Sequence, residues 1–275
     1  MKRVLIIGAN SYIGESVKEY LLKEPDNYYV DIKDAIGWEP HEDDFKPYDV
    51  AFNVAGVAHI KETDDNRHLY YEVNQDLSIK VGRAAKNGGI RQFILLSTMS
   101  VYGLTTGHIT KQTNPNPVNA YGKSKLKADE TIKKMEDDNF KFACLRPPMV
   151  YGKGCKGNYQ SLRKFALKSP IFPNYDNSRS MVYIGNLCEF VKQCIDGEKN
   201  GLFFPQNEDY VNTSNMVEII AGCNGRKIKL VKAFNLMIRT MQIPVVKKVF
   251  GNLTYEKTDT IAKYGFVESI KLTKG

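Results

Sequence analysis

The apolar residues of the chain follow two rhythms. Short, largely apolar runs at residues 4–7, 28–32, 50–54, 93–96 and 140–145 end at a glycine, a proline pair or a polar turn. Runs of that length without alternation read as strands buried on both faces. After the first of them, Ile13, Val17, Tyr20 and Leu21 recur at i, i+4, i+7 and i+8, the stripe of an amphipathic helix that Pro25 closes. Further helices are predicted from about 65 to 86, stopped by Gly88 and Gly89, and from 119 to about 137. Strands alternating with helices predict an α/β fold, a doubly wound parallel sheet with helices on both faces. Ligands of such sheets bind beyond the carboxyl ends of the strands, and Gly8, Asp34, Gly56, Thr98 and Pro147 all follow predicted strands. Past residue 147 the pattern loosens. A stretch rich in Gly, Lys and Asn leads to a short apolar run at 181–184 and a helix near 187–195. The expected organisation is a dinucleotide-binding domain over 1–150 and a smaller substrate lobe over 151–275, interleaved with the last elements of the sheet.

Three segments carry candidate chemistry. The turn after the first strand reads Gly8-Ala9-Asn10-Ser11-Tyr12-Ile13-Gly14. A dinucleotide pyrophosphate needs a tight turn, close backbone approach and helix N-terminal amides there. Gly8 supplies the turn and Gly14 close helix–strand packing. Ser11 stands at the middle position, usually glycine, and its hydroxyl can contact phosphate. An ordinary strand–helix turn is the alternative. At the end of the second strand, Asp34 or Asp31 is placed to bond the ribose hydroxyls of NAD, whereas Lys33 between them suits a 2′-phosphate. NAD is the expected cofactor, with NADP open, and solvated loop charges are the alternative.

The third segment, Tyr121-Gly122-Lys123-Ser124-Lys125, puts Tyr121 and Lys125 one helical turn apart on one face. An ammonium so placed is expected to draw a phenol pKa down from about 10 towards neutrality. The phenolate then exchanges a proton with a substrate hydroxyl while hydride moves to a nicotinamide. Tyr29 and Lys33 share the interval, but strand spacing holds them roughly 13 Å apart. A hydroxyl from Ser97-Thr98-Met99-Ser100, Thr98 foremost, is expected to share the substrate oxygen. Turn capping is the alternative for Ser97, Thr98 and Ser100.

With these residues placed, the chain resembles the extended short-chain dehydrogenase/reductases, in particular their NAD-dependent sugar-nucleotide epimerase/dehydratase branch. The motifs run in order through nearly the whole chain: G-A-N-S-Y-I-G at 8–14, N-V-A-G at 53–56, Y-E-V-N at 71–74, S-T-M-S-V-Y-G at 97–103, Y-G-K-S-K at 121–125, R-P-P-M-V-Y-G at 146–152, R-S-M-V-Y-I at 179–184, and Tyr264-Gly265-Phe266. The resemblance implies a Rossmann-type fold. It implies that Gly8, Ser11 and Gly14 line the pyrophosphate, with Asn10, Tyr12 and Ile13 on the same cofactor-binding turn. Ala55 and Gly56 would pass under the adenosine and its ribose, Asn74 would stand behind the nicotinamide half, and Ser97, Pro147 and Val150 would flank the cofactor. Thr98, Tyr121 and Lys125 match the catalytic triad, Lys125 also holding the nicotinamide ribose. Arg179 matches an arginine that meets the substrate's diphosphate; a surface salt bridge is its alternative. Met99 and Ser100 stand on the substrate side where family dehydratases carry an acidic pair, which disfavours 4,6-dehydration.

Three readings of function fit these residues. One is C4 epimerisation of a nucleotide-diphosphate sugar, in the supply of surface-polysaccharide precursors. The second is reduction of a 4-keto sugar nucleotide with released NAD(P)H. The third is a non-catalytic dinucleotide sensor, against which the intact Tyr121/Lys125 pair argues. The branch also implies a homodimer through the helices at 65–86 and 119–137.

Composition narrows the setting. The cysteines Cys144, Cys155, Cys188, Cys194 and Cys223 are odd in number and form no C-x-x-C pair, so neither a disulfide framework nor a zinc site is expected, and a cytoplasmic location fits. No apolar run approaches the roughly 18 residues of a membrane span, and the apolar start is too short for a secretory signal. His41, His59, His68 and His108 show no ligand spacing, and no metal is expected; His59 follows the third strand closely enough to edge the cofactor cleft, or sits on a solvated loop. The net charge is +8, yet residues 226–250 hold seven Lys or Arg and no Asp or Glu. So local an excess does not suggest a nucleic-acid partner. It suggests attraction of a diphosphate substrate, weak docking on an anionic membrane surface, or a solvated basic face beside a core helix.

Overall fold

Every residue from Val4 to Ile7 is buried, although successive strand side chains point to opposite faces. The strand is therefore covered on both sides, as its unbroken apolar run predicts. The computed structural model describes residues 1–58, 60–241 and 243–274. His59 lies outside them. The chain forms two units: the first is Met1–Gly103, Asn114–Pro147 and Leu187–Pro205, the second Leu104–Thr113, Pro148–Asn186 and Gln206–Gly275. A segment of the first unit ends at Pro147, where the sequence reading divides the chain at 150. Residues 187–205 return to the first unit, and 104–113 leave it.

In the first unit, β1 (Lys2–Ile7), β2 (Tyr28–Lys33), β3 (Val50–Asn53), β4 (Gln92–Leu96), β5 (Lys141–Leu145) and β6 (Gly201–Phe203) form one sheet in the order β2-β1-β3-β4-β5-β6. All neighbours are parallel. The chain steps outward from β1 to β2, then crosses back past β1 to β3. The winding direction thus reverses between β1 and β3, where Ile7 pairs with both Lys33 and Asn53. A crevice at such a reversal is where open α/β sheets bind ligands.

The helices follow the predicted stripes with three differences. The helix after β1, α1 (Tyr12–Leu21), buries Gly14, Val17 and Leu21. The long helix α2 is not uniform: it is α-helical at Arg67–Leu69, π-helical at Tyr70–Leu77 and α-helical at Ser78–Asn87. The helix α3 (Ala120–Lys133) starts at Asn119, whose Oδ1 accepts the Gly122 N–H at 2.8 Å, and stops short of the predicted end near 137. The helix predicted over 187–195 extends over Ile184–Asp196. One core cluster joins Leu5, Ile7, Ala51 and Phe93 of the sheet to Val81, Ala85, Ala128 and Ile132 of α2 and α3. Truncating a side chain such as Ile132 to alanine there costs about 2–5 kcal/mol. This packing fixes the helix that carries Tyr121 and Lys125 against the ends of β3 and β4.

The second unit has no large sheet. Its strands pair in parallel twos: Met149–Tyr151 with Met181–Tyr183, Ile171–Pro173 with Lys229–Val231, Gly107–Ile109 with Leu253–Tyr255, and Gln206–Asn207 with Thr260–Ile261. Helices Asn158–Lys168, Thr213–Cys223, Asn235–Thr240, Pro244–Phe250 and Phe266–Leu272 complete it.

Candidate active site

The loops after β1 and β3 meet at the winding reversal. Gly8 has φ +121, and a Cβ on it would stand 2.9 Å from the Ala55 backbone nitrogen. Only glycine allows the two loops to approach so closely. Asn10 also takes a left-handed φ of 62. Ser11 caps α1, its Oγ accepting the Gly14 N–H at 3.3 Å. Gly14 is buried, and a Cβ there would meet Val54 Cγ2 at 2.9 Å, so it serves helix–strand packing as expected. Tyr12 and Ile13 open the helix, whose first-turn amides lack intrahelical carbonyl partners and make an anion site.

At the end of β2 the two carboxylates part. Asp31 accepts the Tyr48 hydroxyl at 2.6 Å, whereas Asp34 is exposed and its Oδ1 accepts the nearby Ile36 N–H at 3.0 Å. Of the two, Asp34 is the carboxylate left exposed at the end of β2. Lys33 turns towards Asp44, at 3.9 Å, and the Trp38 ring. Gly56 faces solvent with a Cβ position 2.9 Å from Asn74 Oδ1 and 3.0 Å from Lys125 Nζ. Asn74 is buried in the π-helical stretch and ties three elements together. Its Oδ1 accepts the Val57 N–H at 2.8 Å, and its Nδ2 donates to Val57 O and Ser124 Oγ. A glycine-cradled turn, a helix N-terminus and an exposed carboxylate at the β2 end fit the pyrophosphate and adenosine ribose of NAD.

Tyr121, Thr98 and Lys125 come together beyond β3 and β4. Lys125 is buried, its Nζ donating to the carbonyls of Ala55 (3.3 Å) and Leu96 (3.1 Å). Burial brings its pKa down to about 8, against the opposing pull of Asp129. The expectation that this ammonium draws down the Tyr121 phenol is corrected. Burial raises the Tyr121 pKa, and the opposing influence is a hydrogen bond from Thr98. Lys125 is directed at backbone carbonyls instead. Thr98 also caps the turn Met99–Tyr102, accepting the Ser100 N–H at 3.1 Å, so capping and facing the phenol are both true of it. The Met99 N–H donates to Pro147 O at 3.1 Å, which joins the β4 and β5 loops.

Ser97 is placed in the core rather than at an open surface: its Oγ donates to Asp129 Oδ2 at 2.8 Å. The same oxygen accepts Arg146 Nε at 3.1 Å, and Arg146 donates to the Tyr102 hydroxyl at 2.8 Å. Burial pushes the Asp129 carboxyl up from its ordinary value, against Arg146 and Ser97. Sequence reasoning missed this network. The available signal was an acid one helical turn beyond Lys125 and an arginine opening the R-P-P segment. It missed Tyr70 too, whose ring packs edge-on 6.3 Å from that of Tyr121.

Val150 and Arg179 belong to the second unit. Val150 pairs with Val182. Arg179 donates to Gly251 O at 2.7 Å, burial lowers its pKa, and among the described residues it has no carboxylate partner. The surface salt bridge considered for it is not there. Its side chain lines a cavity of about 420 Å³. Among the described residues, no group of three or more His, Cys, Asp or Glu is placed to hold a metal ion.

The model of the NAD dependent epimerase/dehydratase family matches residues 4–202. A UDP-glucose 4-epimerase of Vibrio cholerae is 28% identical over 94% of this chain and 84% of its own length. An N-acetyl-α-D-glucosaminyl-diphospho-ditrans,octacis-undecaprenol 4-epimerase of Escherichia coli O157:H7 is 25% identical over 98% and 84%. The crystal structure of a UDP-glucuronic acid 4-epimerase from Bacillus cereus with NAD superposes at TM-score 0.77, with 15% identity, over 98% of this chain and 96% of that one. A dTDP-4-dehydrorhamnose reductase from Clostridium acetobutylicum superposes at 0.76, with 20% identity, over 98% and 97%.

Proposed function

The chain belongs to the NAD-dependent epimerase/dehydratase family, and we propose that it inverts C4 of a sugar joined to its carrier through a diphosphate. The observation that carries this reading is the Tyr121 phenol facing the Thr98 hydroxyl, with Lys125 one turn behind it. Nucleotide-diphosphate sugars are the substrate class the sequence implies. The two named relatives act on a nucleotide-linked and a polyprenol-linked sugar respectively, and the diphosphate is common to both.

NAD, when bound, supplies a hydride acceptor and then a hydride donor. The chain's own residues do the rest. Deprotonated Tyr121 takes the proton of the C4 hydroxyl while Thr98 donates to the same oxygen. Lys125, held by Ala55 and Leu96, keeps a positive charge that would hold the nicotinamide ribose. The 4-keto sugar turns over in the site, and Tyr121 returns the proton to the oxygen of the other epimer. Met99 and Ser100 supply no acid to eliminate water, in keeping with epimerisation rather than dehydration.

Release of bound NAD on denaturation, with interconversion of C4 epimers and no net NAD(P)H use, supports this reading. Stoichiometric use of added NADPH on a keto sugar would replace it with the reductase. A homodimer through α2 and α3 accompanies the proposal; a monomer by analytical ultracentrifugation removes that part. No helix among the described residues is long and apolar enough to cross a membrane. A cytoplasmic site of action is proposed from the five free cysteines.

A further inference from the structure

The cavity beside Arg179 is unusual for a nucleoside. At about 420 Å³ it has the size of a small-molecule site. Its wall is mostly Leu162, Phe172, Met181, Val246, Val249 and Phe250. The other polar side chains lining it are Asn158, Ser161, Thr213 and Lys248. Thr213 is already committed, donating to Val249 O at 2.8 Å and accepting from Asn177 at 3.1 Å. Among the described residues the wall carries no carboxylate, and its two cations are Arg179 and Lys248. A nucleobase buried there would leave donors and acceptors poorly matched, which is costly. A hydrocarbon chain asks for no partners and gains with each buried methylene.

The outer side of the same segment points the same way. Leu236, Met237 and Val245 are 74%, 50% and 63% exposed on the helices Asn235–Thr240 and Pro244–Phe250. Exposed apolar side chains of that size, interleaved with Lys232, Arg239, Lys247 and Lys248 and no acid, suit the interface of an anionic bilayer.

We propose that this cavity accepts the isoprenoid of a lipid-diphosphate sugar, Arg179 and Lys248 meeting the diphosphate, so that the enzyme acts on sugar already loaded on a membrane carrier. The inference rests on the epimerase reading and specifies its carrier. The helix Pro244–Phe250 supplies Val246 and Val249 to the cavity and Val245 to its outer rim.

Titration of the NAD-loaded enzyme with farnesyl diphosphate, UDP and inorganic pyrophosphate tests it. Farnesyl diphosphate is expected to bind at least roughly tenfold more tightly than either of the others. Val246→Asp, with NAD content and melting temperature checked, is expected to abolish that advantage while leaving pyrophosphate binding in place. Lys248→Glu, at an exposed position, is expected to weaken all three ligands. UDP binding as tightly as farnesyl diphosphate, or an unchanged farnesyl diphosphate affinity in Val246→Asp, overturns the proposal. If C4 epimerisation of UDP-glucose still occurs and is lost in Tyr121→Phe, the epimerase reading survives that result. Absence of C4 chemistry on both UDP-linked and polyprenyl-linked sugars removes the reading itself.

Discussion

Thr98 hydrogen-bonds the phenol of Tyr121, and this contact lowers a pKa that burial raises. The phenolate is the form that removes a proton, so proton abstraction gains with pH until Tyr121 is ionised. Thr98→Val removes the lowering influence. It is expected to shift the rising limb of kcat/KM to higher pH and to lower kcat by roughly tenfold or more, the scale of a hydrogen bond to a charged group. A pH–rate profile reads both; an unshifted limb contradicts the assignment.

Tyr121→Phe keeps the ring, which packs against Tyr70, and removes only the acid–base group. Turnover is expected to fall by at least roughly 10²-fold, with NAD content and melting temperature near those of the parent. Quantifying NAD released by acid alongside steady-state turnover separates the two effects.

Lys125 makes the cofactor-free protein sensitive to pH. Its pKa falls from 10.5 unfolded to about 8 folded. Below about 8 it is charged in both states, and the fold bears the cost of burying the charge. Above 10.5 it is neutral in both, and the cost is gone. Stability relative to Lys125→Met is thus expected to rise between pH 8 and 10.5, by about 3 kcal/mol in all. Denaturant melts of the two cofactor-free proteins across that range check the sign. A constant difference contradicts it.

Gly56→Ala probes the cofactor cradle. The new methyl would stand 2.9 Å from Asn74 Oδ1 and 3.0 Å from Lys125 Nζ. Overpacking on that scale is expected to weaken NAD binding by roughly tenfold or more, measured by titration of the cofactor-free protein.

Asp129→Asn leaves the buried Arg146 guanidinium without its counter-charge. Breaking such a pair costs about 3–5 kcal/mol, whereas replacing both partners with apolar side chains is often tolerated. The double variant Asp129→Leu/Arg146→Met is therefore expected to recover much of the stability lost in Asp129→Asn, by denaturant unfolding.

The central sheet was legible because buried parallel strands are short, largely apolar runs, and Val4–Ile7 shows the pattern without interruption. The amphipathic stripe of α1 was equally direct. The π-helical turn carrying Asn74 was not, since its side-chain spacing barely departs from an α-helical stripe while its hydrogen bonds shift by one residue. The Tyr121–Lys125 spacing was legible, but the target of the ammonium was not: the carbonyls of Ala55 and Leu96 are 70 and 29 residues away in sequence. Asp129 reads as a surface charge on a helix until Arg146 and Ser97 are folded against it. In the second unit, strands of two or three residues pair across long separations, as Gly107–Ile109 does with Leu253–Tyr255, and leave little local signature.

The epimerase account is tested most directly by running the reaction in deuterium oxide and reading the product by NMR. Hydride removed from C4 and returned to it predicts the C4 epimer with hydrogen, not deuterium, at C4, and no net consumption of NAD(P)H. Deuterium at C4, or product formed only with stoichiometric NAD(P)H, contradicts it.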